Sequence, residues 1–312
     1  MRFFGWRGRS AGAVAWWFLA VCQAVWAGEG GLTVATYNLQ NYTLADRRSA
    51  DGFRPDYPKP EAEKAALRRV IAALDADVVA LQEIGGEPFL RELRRDLASE
   101  GVAYPYGEAM LAGDEARGLA VLSRVPLGRV TAHRDLATKR RGDTTGEPVR
   151  RGMLEVEVPT AGGAVTLFIV HLKSRLTEDR EDPGAEDQRV GEAQAVRDRV
   201  LTRFPDPGAG RFLILGDCND LPGSRALQAL QNRGKTEISR WIDAADGRGE
   251  RWTHIYERVA LYSRFDHVLA SPGLLAAAAG GAEPPRARIV DEPADAVRRA
   301  SDHRPVVVTL KW

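Results

Sequence analysis

Short apolar runs bounded by Gly, Pro or Asp recur along the chain and set the first expectation. Strands are predicted at Leu32–Thr36, Asp77–Leu81, Leu119–Leu122, Leu154–Val158, Val165–His171, Arg211–Leu215, His267–Ala270 and Val306–Leu310, all rich in Val, Ile and Leu. Three stretches switch to the helical period. Glu61–Leu74 places Leu67, Val70, Ile71 and Leu74 on one face at i, i+3, i+4, i+7; Gln188–Phe204 repeats this with Val196, Val200 and Leu201, and Pro88–Ser99 reads as a further helix. Strands that are apolar at nearly every position have no face to give to water. They need cover on both sides, which predicts a layered α/β architecture rather than an open all-β sandwich. Asn41–Pro60, Arg134–Pro148 and Leu176–Asp187 are polar and read as loops; the Ala-rich Leu274–Ala282 reads as a short helix or surface segment without chemistry.

The first residues do not fit that pattern. Arg2, Arg7 and Arg9 precede the apolar run Ala11–Val21, which is shorter than the ~20 residues of a membrane span. Val25-Trp26-Ala27 ends in a small residue and is followed by polar Gly28-Glu29-Gly30-Gly31. Residues 1–27 are therefore expected to be a signal peptide cleaved after Ala27, leaving one exported domain over 28–312. An uncleaved N-terminal anchor, or a lipoprotein box at Leu19-Ala20-Val21-Cys22, is the weaker alternative, since bulky Val21 precedes the cysteine. Loss of the leader removes three arginines and no acid, taking the formal net charge from +1 to −2. Attraction to a phosphate must then be local rather than global. Cys218 becomes the only cysteine, so no intramolecular disulfide can form, and its apolar flank suggests a buried small side chain.

Five polar motifs finish apolar runs, where rigid elements hand side chains to a cleft: Thr36-Tyr37-Asn38-Leu39, Leu81-Gln82-Glu83-Ile84, His171-Leu172-Lys173-Ser174, Gly216-Asp217-Cys218-Asn219-Asp220 and Ser301-Asp302-His303-Arg304-Pro305. Asp217 and Asn219, two apart on an extended chain, face one way while Cys218 faces the core. A carboxylate and an amide so placed can take a proton from a water and orient it; Asp and Asn also commonly cap turns. Glu83 and Asn38 offer hard oxygens suited to Mg²⁺ or Mn²⁺, and the absence of HxxxH and CxxC gives a closed zinc site little support. His171 and His303, with Asp266-His267 opening another strand, could donate to phosphoryl oxygens, a carboxylate behind one ring fixing its tautomer. Arg150, Arg151 and Lys173 are candidate charge clamps among 44 lysines and arginines, most of which serve only solvation.

In order and wording these motifs, together with Gly118-Leu119-Ala120-Val121-Leu122-Ser123-Arg124, resemble the endonuclease/exonuclease/phosphatase superfamily over Thr33 to Leu310. That superfamily includes pancreatic-type deoxyribonuclease, apurinic endonucleases, sphingomyelinases and inositol-phosphate phosphatases. The resemblance implies a four-layer α/β sandwich, two facing mixed β-sheets flanked by helices. It also implies roles: Glu83 as principal metal ligand, Asn38 beside it, and Asp302 at or near the metal. Asp217 would activate the attacking water and Asn219 orient it, with His303 and His171 on the scissile phosphate and Asp266 paired with the ring of His303. Arg151 is the nearest counterpart of a mid-chain phosphate-contacting residue, and Lys173 belongs to a motif similar to that of an exported bacterial branch. Cys218 stands where members often carry an aromatic. The expectation is an exported Mg²⁺-dependent phosphodiesterase, most simply a nuclease acting on nucleic acid. A phospholipid or small phosphate ester as substrate is the alternative within the fold, and a non-catalytic binding module the alternative outside it.

Overall fold

The computed structural model describes Met1 and residues 31–49, 52–138, 146–279, 285 and 287–312. The signal peptide expected over 1–27 lies outside the described residues apart from Met1, as do parts of the stretches 134–148 and 274–282.

Six strands carry the site: β1 (Gly31–Tyr42), β2 (Val78–Ile84), β3 (Val165–His171), β4 (Phe212–Asp217), β5 (Asp266–Ala270) and β6 (Val306–Lys311). In a seven-stranded mixed sheet β1 runs antiparallel to β6 and parallel to β2. Ala244–Ala245 and Ala287–Ile289 extend the sheet beyond β6; Gly118–Ser123 and Tyr106–Met110 extend it beyond β2. In a six-stranded mixed sheet β4 lies parallel to β3 and antiparallel to β5, with Arg240–Trp241 outside β5 and Met153–Val158 and Val130–His133 outside β3. The helices are α1 (Glu61–Leu74), α2 (Glu87–Ser99), α3 (Glu186–Arg203), α4 (Arg225–Gln231), α5 (Pro272–Ala279) and α6 (Ala294–Ala300).

The strand period of two explains the stacking. Val34, Val78 and Leu119 of one sheet meet Leu167, Leu213 and Val268 of the other in a shared interior. Their neighbours along the strands point outward. Ala35, Val79 and Leu81 pack under Leu67 and Ile71 of α1, Leu90 of α2 and Val297 of α6; Phe168, Phe212 and Ile214 pack under Val190 and Val196 of α3 and Leu227 of α4. Three apolar interfaces thus separate four layers, the sandwich that the doubly apolar strands require. Each fully buried aliphatic side chain contributes roughly 1.5–3 kcal/mol to holding them together.

The departures from expectation have simple causes. β2 runs on past Leu81 to Ile84, so Glu83 lies inside the strand, and β1 continues to Tyr42. The stretch expected as a loop over 41–60 contains an antiparallel hairpin, Leu44–Ser49 with Gly52–Pro58. Its second strand is exposed at every position, so it has no apolar alternation to read; Arg47 pins it by donating to Tyr57 O at 3.1 Å and Asn41 O at 2.6 Å. Tyr106–Met110 and Val130–His133 are half-wet sheet edges and lack an apolar run for the same reason. The Ala-rich segment does form a short helix, α5, and Leu274 in it is fully buried against the inter-sheet core.

Candidate active site

The strand ends meet at one side of the sandwich. Across the six-stranded sheet, His171, Asp217 and Asp266 stand in one register row on three adjacent strands. Gly216 makes this possible: at φ 144° its backbone passes so close to β3 that a Cβ would lie 1.9 Å from the Val170 carbonyl oxygen. From the other sheet come Asn38 inside β1, where the pairing with β2 begins to shift register, Glu83 near the end of β2, and Asp302-His303 just before β6. Gln40, Asn41, Glu83 and Asn219 all have positive φ, between 48° and 61°, a conformation uncommon for non-glycine residues.

Of the ten expected site residues, Glu83, His171, Asp217, Asn219, Asp302, His303, Arg151 and Lys173 line a single cleft of about 570 Å³. Asn38 and Asp266 sit behind it, buried, and act on others. Asp217 Oδ2 is the focus: Asn38 Nδ2 donates to it at 3.0 Å, His171 Nε2 lies at 3.4 Å and His303 Nε2 at 3.8 Å. Asp266 Oδ2 holds His303 Nδ1 at 2.8 Å, directing Nε2 toward the cleft. Ser301 Oγ accepts the His303 N–H at 3.0 Å and donates to the Asn38 carbonyl at 2.8 Å, tying the β6 approach to β1.

Two local expectations change. β4 ends at Asp217 and Asn219 is left-handed, so the pair reaches the cleft through a turn rather than an extended strand. Asn219 Nδ2 donates to Leu172 O at 3.0 Å and its N–H to Asp217 Oδ1 at 2.8 Å, which places it as a brace for Asp217 and the His171 turn. Asn38 presents its amide N–H₂ to Asp217 and, at 3.4 Å, to Glu83, while its oxygen accepts the Gln40 N–H at 2.9 Å. In this arrangement it orders the two carboxylates through its amide N–H₂.

Charge and burial pull these groups apart. Burial disfavours the cationic form of His303, but Asp266, Asp217 and Asp302 outweigh it and hold the ring well above the usual imidazole range. His171 goes the other way: burial, then Arg151 and the charge on His303, keep it well below that range and hence neutral. Burial raises the Asp217 carboxyl, opposed by His303 and by its bonds from Asn219 and Asn38. His267 faces away from the cleft, with Nδ1 at 3.1 Å from Trp241 Nε1 and Nε2 at 2.9 Å from Asp220 O. Burial pushes it down to about 4, so it is a neutral structural ring.

Several contributors carry no sequence motif. His254 stacks on Phe265 at 5.1 Å between ring centroids and tilts against His303 at 4.6 Å, walling one side. Glu192 of α3, fully buried, accepts the N–H of Arg150 at 3.1 Å and of Lys173 at 2.7 Å. One turn earlier Arg189 pairs with Asp220 at 3.0 Å and donates to Lys173 O at 3.2 Å. A signal for both existed: they share the helix face of Val196 and Val200, and charged residues on a buried face need partners.

A metal fits the donor set in one respect. No group of three or more His, Cys, Asp or Glu side chains forms a cage among the described residues. Magnesium asks for less, one or two carboxylates completed by water and substrate oxygens. Glu83, its Oε2 already oriented by the Asn41 N–H at 2.9 Å, and cleft-lining Asp302 are the carboxylates able to supply them.

This fold and this cleft define a class. The model of the Endonuclease/Exonuclease/phosphatase family matches residues 35–303, and the chain belongs to that family of phosphate-ester hydrolases. Among solved structures it is similar to sphingomyelinase C from Streptomyces griseocarneus, at 17% identity and TM-score 0.59 over 90% of this chain and 99% of that one. It is also similar to truncated TDP2 from Caenorhabditis elegans, at 15% identity and TM-score 0.57 over 90% and 98% of the two chains. A third likeness is to a beta toxin from Staphylococcus aureus with bound magnesium ions, at 15% identity and TM-score 0.60 over 90% and 100%. At these identities the likeness is one of fold. No curated protein sequence matches the chain significantly.

Proposed function

We propose that the protein is an exported, Mg²⁺-dependent phosphodiesterase that cleaves nucleic acid by in-line attack of water on phosphorus. One observation carries the chemistry: a single oxygen of Asp217 is the meeting point of Asn38, His171 and His303, which come from three separate segments of the chain. Asp217 takes the proton of the attacking water, and Asn38 and the Asn219 N–H keep its carboxylate aimed. His303, charged and held by Asp266, donates to a phosphoryl oxygen as negative charge grows there; neutral His171 presents Nε2 beside it. Bound at Glu83 and Asp302, Mg²⁺ would supply charge neutralisation at the phosphoryl oxygens. Arg151 and Lys173 add positive charge along the cleft wall. Cleavage of the leader after Ala27 accounts for export, and no helix among the described residues is long and apolar enough to cross a membrane.

A second reading, hydrolysis of a phospholipid, is favoured by one feature of the rim. Leu176, Tyr256 and Leu261 line the cleft yet are 41–80% exposed, and Val259 and Tyr262 stand exposed beside them. The test is purified protein with Mg²⁺ or chelator on plasmid DNA, RNA, sphingomyelin vesicles and a phosphomonoester. Metal-dependent nicking that Asp217→Ala abolishes supports the nuclease. Turnover of sphingomyelin alone transfers the chemistry to the lipid, and silence on every substrate refutes the catalytic reading.

A further inference from the structure

The lining of the cleft includes three guanidinium groups gathered around one further carboxylate. Asp114, with its side chain 6% exposed, faces Arg151 Nε at 3.3 Å, and Arg117 Nη1 and Arg150 Nε at 3.8 Å each. One carboxylate against three arginines leaves two positive charges uncompensated. The arrangement is built rather than accidental. Asp114 Oδ1 accepts the N–H groups of Ala116 at 3.3 Å and Arg117 at 3.1 Å, folding the turn that carries Arg117 around the same carboxylate. The Asp114 N–H in turn donates to Arg150 O at 3.0 Å, joining the two arginine-bearing loops.

The three arginines are not equivalent. Arg151 is buried and spends Nη1 on Leu172 O at 3.2 Å. The Arg117 and Arg150 side chains are 40% and 52% exposed; among the described residues the Arg117 guanidinium makes a hydrogen bond only through Nε, to Asn41 Oδ1 at 2.8 Å, and the Arg150 guanidinium makes none. Both therefore keep planar N–H forks for a ligand. The cluster also abuts the reaction centre, because Asn41 donates its N–H to Glu83 and Leu172 O receives the Asn219 amide.

His171 and His303 both approach Asp217 Oδ2, at 3.4 and 3.8 Å, and so serve a phosphate under attack there, whereas the three guanidiniums pair with Asp114 beside that centre, which leaves their excess positive charge for another group. Planar guanidinium forks match phosphate oxygens in pairs. A quaternary ammonium would be repelled here by the like charge of the guanidiniums. We infer that the Asp114-centred cluster is a receptor for a second phosphate group on the substrate, adjacent to the one that is cut. Arg117 and Arg150 are its ligand-contacting residues and Asp114 the residue that positions them. It selects diesters carrying a neighbouring phosphate, such as a nucleic acid strand, over single-phosphate zwitterionic headgroups. This rests on the proposed hydrolysis of a phosphodiester in the same cleft.

The test uses the full chain and thymidine dinucleotides that are unphosphorylated, 5′-phosphorylated or 3′-phosphorylated. Titrated in chelator, one phosphorylated form is expected to bind about tenfold tighter than the unphosphorylated one. That ratio should collapse toward one in Arg117→Ala/Arg150→Ala and be partly restored in Arg117→Lys/Arg150→Lys, whose folding is checked by circular dichroism. Equal affinity for all three dinucleotides in the unaltered protein, or a ratio unchanged in the alanine variant, overturns the receptor. Hydrolysis is then followed with Mg²⁺. Preference in binding without turnover of any dinucleotide keeps the receptor and removes the nuclease; turnover without preference does the reverse.

Discussion

The floor and the wall of the cleft are built on different plans. On the floor, Asp217, Asn38, His303 and Asp266 touch side chain to side chain, and their charges act on one another directly. The wall is held from behind: Arg150 and Lys173 are tied through their backbone N–H groups to Glu192, and Arg189 takes the carbonyl of Lys173. Substitutions on the floor should therefore change what the site can do to a bound substrate. Substitutions behind the wall should change where the cations stand, and so how well a substrate is held.

The sharpest way to break that contrast is at the floor's focus. Asp217→Asn keeps the shape but removes the proton acceptor, and kcat should fall roughly 10²- to 10⁴-fold with KM little altered, measured by steady-state kinetics. A fall in KM affinity alone would show that Asp217 belongs to binding. Next is Asp266→Asn, which should lower kcat, by less than Asp217→Asn does, through loss of the His303 tether. Its sign in pH is also defined. Asp266 raises the His303 pKa, so its removal should move the alkaline loss of kcat to lower pH.

The wall should respond more weakly and in the other parameter. Glu192→Gln leaves one buried N–H without an acceptor, at a cost of about 1–3 kcal/mol visible as a lower thermal midpoint. KM should rise several-fold while kcat stays close to its original value; a matching loss in kcat would erase the distinction between floor and wall. The smallest effect is electrostatic. Burial, Arg151 and Arg150 all lower the Lys173 pKa, so KM for an anionic substrate should rise with pH earlier than an ordinary lysine would allow. Arg150→Ala removes one of those causes and should shift that rise to higher pH.

The contrast also separates what was legible in the sequence from what was not. Residues alternating across a strand, as Val34 with Ala35 and Leu213 with Ile214 do, obey a period of two set by backbone geometry, so doubly apolar runs required two covered faces and hence four layers. Polar groups terminating such runs must emerge where the strands end, which is why Asp217, Glu83, His171 and His303 were readable as site candidates. These are local properties, carried by neighbouring residues. The direction of the Asn38 amide toward Asp217, the brace formed by Asn219, the partners of buried Arg189 and Glu192, and the approach of Arg150 and Arg151 to Asp114 depend on segments meeting across long separations. Gln40, Asn41 and Asn219 also have positive φ, which no period of hydrophobicity encodes. The sequence by itself determined the layers and the candidate residues of the floor, because both follow from short-range geometry. Only the tertiary structure decided which charges on the wall are neutralised and which stand open to a ligand, because that balance is set by distances between segments that are not neighbours in the chain.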